Sequence, residues 1–86
     1  MGAALDPEGL MAATFRTLQR LPIDGAPSLL LQVSRTRFGA LAFFVVPADL
    51  TRPEVLAQAA TREEALAAID GAAARLVKIL AREGAA

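Results

Sequence analysis

The chain contains no histidine, cysteine, tyrosine or tryptophan. Without histidine it lacks the usual general base near neutral pH. Without cysteine it has no thiolate nucleophile, no soft-metal ligand and no disulfide framework. A Ser–His–Asp arrangement cannot be assembled, and no spacing brings Lys78 beside Ser28 or Ser34. No Asp-x-Asp-x-Asp-Gly run and no glycine-rich phosphate loop is present. Glu63 and Glu64 are adjacent, so on a helix they diverge, and they read as first-turn partners of the helix dipole. No enzymatic role, metal or cofactor is therefore expected.

A net excess of positive or negative residues is also absent. Nine basic residues balance nine acidic ones. That balance removes the electrostatic footprint of a dedicated nucleic-acid binder and gives no hint of an anionic membrane surface. The strongly apolar run from Gly39 to Ala48 falls far below the ~18–20 residues that span a bilayer. The first residues, Met1 to Asp6, lack a basic n-region and a long apolar stretch. No signal peptide is expected, and the cytoplasm is the default location.

What is present is apolar. The hydrophobic fraction is 55%, and twenty of the 86 residues are Ala, which favours helix more than it supplies core volume. Asp6-Pro7-Glu8 is a helix-start signal. Leu10, Met11, Thr14, Phe15, Leu18 and Leu21 follow at three- and four-residue steps, predicting a helix over about 7–20 stopped by Pro22. Pro22 to Pro27 is a turn by composition. Residues 28–46 predict a β-hairpin, with strands at Ser28–Ser34 and Ala40–Val46 and Gly39 in the linking loop.

Thr51-Arg52-Pro53-Glu54 and Thr61-Arg62-Glu63-Glu64 both match capping boxes. They predict helices over about 52–60 and 62–82, although a shared apolar seam leaves one continuous helix as an alternative. Gly84 is a plausible stop. Gly71, set among alanines, either admits a close backbone or marks a mild kink. The expected architecture is a single α+β domain of order α-β-β-α-α, an antiparallel hairpin packed against helices.

The second strand is apolar on both sides: Leu41, Phe43 and Val45 on one, Ala42, Phe44 and Val46 on the other. Such strands are normally buried on both faces. A bare hairpin leaves open edges and too little helix to cover both. A second chain is expected to complete the sheet or the helical layer. The interface candidates are Leu41, Phe43, Phe44, Val45, Leu66, Ile69, Leu76 and Leu80. The expected role is a protein-interaction or assembly module, acting as a homodimer or an accessory subunit. An apolar-ligand binder, with Phe15, Phe43 and Phe44 lining a pocket, is the alternative. Arg35 and Arg37 beside Phe38 form the one local basic–aromatic cluster, a weak anion-site candidate. A nucleic-acid-associated regulator acting through them ranks third. The simpler reading of that cluster is a solvated tip with Phe38 tucked onto the core.

Overall fold

The structure, a computed structural model, describes residues 15–52 and 54–85. Four strands are followed by two helices: β1 Phe15–Pro22, β2 Leu29–Thr36, β3 Leu41–Pro47, β4 Ala57–Ala59, α1 Arg62–Ala67 and α2 Ile69–Ala85. The strands form one antiparallel sheet in the order β1-β2-β3-β4. The fold is α+β, with the expected hairpin at its centre and helices packed against it.

The hairpin pairs Leu29 with Pro47 and runs in unbroken register to Arg35 opposite Leu41. Its turn is locked by short-range bonds. Thr36 and Ala40 pair through the backbone at 2.8 Å, and the Gly39 N–H donates to the Thr36 carbonyl at 3.0 Å. The Thr36 hydroxyl accepts from the N–H groups of Phe38 and Ala40. Gly39 has φ 88°, a left-handed conformation that strains any residue with a Cβ.

The helix expected over 7–20 is corrected where the structure describes it. Residues 15–22 form β1, paired with β2 from Phe15–Thr36 to Pro22–Leu30. Residues 7–14 lie outside the described residues. The misleading signal was spacing. A bulge between Thr17 and Gln19 inserts Leu18 into an alternating strand, so apolar residues recur at steps of three. Pairing along all of β2 then outweighs local helix preference.

A second correction concerns 52–60. No helix forms over its described residues; instead Ala57–Ala59 pairs with Phe43–Val45 as β4. The Leu56 N–H extends this pairing to the Val45 carbonyl at 2.8 Å. The outer edge of β3 carries backbone groups that must be satisfied, and a short extended segment satisfies them where a helix could not. Thr51 caps nothing helical. Its N–H and hydroxyl bond the Asp49 carboxylate in a turn.

The 62–82 helix starts as expected. Thr61 is extended, and its hydroxyl accepts from the Glu64 N–H. The helical stretch is divided at Ala68, however, and α2 runs past Gly84 to Ala85. Gly84 is thus inside the helix rather than its stop. Nothing lies within 4 Å of where a Cβ on Gly71 would sit, so no backbone of this chain approaches it closely.

The helices cover one face of the sheet. Ile23, Leu29, Leu31, Val45, Leu56, Ala65, Ala72 and Leu76 are buried between the layers. On the opposite face Ala42, Phe44 and Val46 are buried with Leu30 against them. Beyond its exposed first residue, Leu41, and half-buried Phe43, strand β3 is thus buried on both faces, as its unbroken apolar run implies. It is also flanked on both sides by strands of its own chain. No helix among the described residues is long and apolar enough to cross a membrane.

Candidate interaction surfaces

The eight apolar candidates divide by burial. Val45 and Leu76 belong to the core between sheet and helices, with Phe43, Leu66 and Ile69 packed against it. Phe44 is only 2% exposed, on the other face of the sheet. Leu41 and Leu80 are the two that stand well out of the fold, each 45% exposed. The structure therefore brings five of the eight into one internal cluster and leaves two at the surface.

Both sheet edges are protected. The long edge strand β1 carries a bulge, and Arg16 and Arg20 project from it. Strand β4, at the other edge, is three residues long and leads into α1. Bulges, charges and shortness are the devices that discourage strand addition. Edge-to-edge pairing of two copies is disfavoured by this construction.

The outer flank of α2 is different. Val77 is 65% exposed and lies four residues after Ala73 and three before Leu80. Gly84 continues the run four residues on. This 4–3–4 spacing places Ala73, Val77, Leu80 and Gly84 in one stripe, beside the face that buries Ala72 and Leu76. The apolar arc of the helix is wider than the sheet can cover. Sequence reasoning found the Leu76–Leu80 seam and missed Val77, which sits one position off it. Its signal was the arc's width, not its period.

The polar groups are structural in their contacts. Arg52 pairs with Asp49 and with Glu83, tying the β3–β4 connection to the end of α2. The hydrogen bond from Arg52 to the Glu83 carboxylate raises the pKa of this guanidinium. Asp49 is held below the ordinary carboxylate value, first by the Thr51 hydroxyl and then by its N–H. Arg75 donates to the Leu56 carbonyl at 3.2 Å. Buried Ser34 accepts from Gln32, which in turn accepts from Arg20. Lys78 lines a groove of about 520 Å³ with Glu54, Arg75, Ile79, Arg82 and Glu83, a set that includes neither Ser28 nor Ser34. Among the described residues no three acidic side chains converge into a metal-holding group.

No protein-family model, curated protein or solved structure matches the chain. The surfaces must carry the functional reading by themselves.

The apolar-ligand alternative finds little support in the grooves. The groove of about 520 Å³ beside Lys78 is lined chiefly by charged side chains. A more apolar one, formed by Pro47, Ala48, Leu76 and Leu80 with Ser28, Asp49 and Arg52, measures about 250 Å³. That is below the ~300–1,000 Å³ usual for ligand pockets. Phe44 lies in the sheet cluster, and Phe43 packs against the main core.

The basic–aromatic cluster is arranged differently from expectation. Phe38 is 87% exposed and does not tuck onto the core. The Arg37 guanidinium lies 5.7 Å from its ring centroid. Arg35 donates to the Gly39 carbonyl at 3.3 Å, which lays it along the turn. Arg16 sits directly across the sheet from Arg35.

Proposed function

We propose that this chain is a non-enzymatic interaction module that self-associates through the outer flank of α2. The observation that carries the reading is the exposure of Val77 and Leu80 in one stripe between small residues. Small residues at Ala73 and Gly84 let a second helix approach closely, while Val77 and Leu80 supply the knobs. A twofold axis brings the same stripe onto itself. Leu41, at the end of β3, lies outside this flank and is not required by it.

The size of the stripe sets the strength. Stable dimers bury about 800 Å² per partner, and two large side chains with their neighbours supply only part of that. A weak, concentration-dependent dimer is expected, or a helix of another protein in its place. Light scattering between about 10 and 500 μM should show a rising average mass, with melting that shifts with concentration. Val77→Glu should abolish the rise while leaving the dilute melting temperature unchanged, because Val77 is largely exposed. A wild-type chain that stays monomeric throughout, or a V77E chain that associates equally well, would overturn the proposal.

A further inference from the structure

The β2–β3 tip has no role in that self-association, and its construction is unusual for a solvated turn. A turn of this geometry needs a left-handed residue, which Gly39 supplies, and ordinarily takes small or polar residues elsewhere. Phe38 is neither small nor polar. Its ring contributes almost nothing to the fold, being 87% exposed, yet its backbone is held by the Thr36 hydroxyl. The turn therefore presents an aromatic ring from an ordered backbone, so the backbone part of its ordering cost is already met by the hairpin.

Three arginines share this end of the sheet. Arg37 stacks on the ring, and Arg35 is laid beside the turn by its bond to Gly39. Arg16 and Arg35 are direct cross-strand partners, so their side chains leave the sheet on the same side. Like charges directly opposite one another are destabilising unless something anionic lies between them. Both ion pairs found among the described residues belong to Arg52, so no described carboxylate pairs with these three. Asp24 lies in the β1–β2 turn, and Asp49 and Glu54 in the β3–β4 connection, at the opposite end of the sheet. The zero net charge conceals a local cluster of three arginines at this end of the sheet.

We infer that the tip formed by Arg16, Arg35, Arg37 and Phe38 binds single-stranded nucleic acid. A single strand offers a π-face and an anion in each repeat, which one ring flanked by guanidinium groups matches. In a duplex the bases are stacked inside and Phe38 would find no partner. A membrane surface supplies the anions. Beside the Phe38 ring, however, the tip offers only the half-exposed Leu41 opposite Arg35, little apolar area to drive insertion.

The test uses the full chain and a fluorescent ten-nucleotide oligothymidylate, read by anisotropy. Three phosphate contacts predict a slope of log K against log salt of about −2. Phe38→Ala should weaken binding by about 5- to 100-fold, as loss of one stacked base does, with an unchanged melting temperature. Arg35→Gln should lower the salt slope by about 0.7. V77E should bind as the wild type does, which separates this inference from the self-association above. The inference is overturned if the oligonucleotide fails to bind at low salt, or if F38A binds unchanged. A large loss of stability in F38A would overturn it too, as would binding to anionic vesicles in preference to the oligonucleotide.

Discussion

Two leucines, Leu31 and Leu50, test whether the packing of helices on the sheet is what stabilises the chain. Leu31 is 2% exposed, at the middle of β2 between the sheet and the helices, while Leu50, in the β3–β4 connection, is 58% exposed. Truncating a buried leucine removes its transfer free energy and leaves a cavity, costing about 2–5 kcal/mol. At about 0.05–0.15 kcal/mol per residue, a chain of 86 residues has roughly 4–13 kcal/mol in all. Leu31→Ala should therefore remove a large share of the stability. For a loss near 3 kcal/mol, the melting temperature falls by roughly 12–24 °C. Leu50→Ala makes the same chemical change at the surface and should cost about 0.5 kcal/mol or less. Urea titration followed by circular dichroism measures both, with the slope m expected to stay constant between variants. If L31A loses less than about 1 kcal/mol, or if L50A loses as much as L31A, the packing assigned to this core is wrong.

The remaining predictions concern the helical cap and acid. Thr61→Ala removes the acceptor for the Glu64 N–H and should cost about 1 kcal/mol, or roughly 4–8 °C in melting temperature, with Thr61→Ser close to wild type. An alanine variant as stable as the parent would show that the cap contributes nothing. The folded-state pKa of Asp49 is depressed below 3.8, chiefly by the Thr51 hydroxyl. Its contribution is therefore present above that value and is lost as pH falls through the lower folded value. Because Asp49 is exposed the effect is small, and Asp49→Asn should slightly flatten the acid limb of the melting curve below about pH 4. Parallel decline of D49N and wild type across that limb would refute the assignment.

The hairpin was legible because its signals are local and redundant. Leu29 to Val33 and Leu41 to Val46 are long β-branched and apolar runs, and Gly39 sits where the turn needs it. The start of α1 was equally legible, because Thr61 and Glu64 form a cap within four residues. By contrast β1 and β4 are strands only because of their neighbours. Ala57-Gln58-Ala59 has no strand preference of its own and is extended because β3 has an edge to fill. Phe15 to Pro22 carries a helical spacing that a bulge imitates.

The surfaces follow the same division. Composition alone settles that no histidine or cysteine chemistry is available to this chain. Apolar patterning identifies which residues are hydrophobic enough to seek cover, but it does not say which find it. Phe44, Val45 and Leu76 find it within the chain, whereas Val77, Leu80 and Phe38 do not. That choice depends on how far the helices reach across the sheet and where the turn points, which are properties of the assembled layers. Charge shows the same limit. The sequence determines the sum, which is zero, while pairing β1 with β2 sets Arg16 across from Arg35 and places Asp24, Asp49 and Glu54 at the other end. A sum carries no positions, and an electrostatic field depends on position.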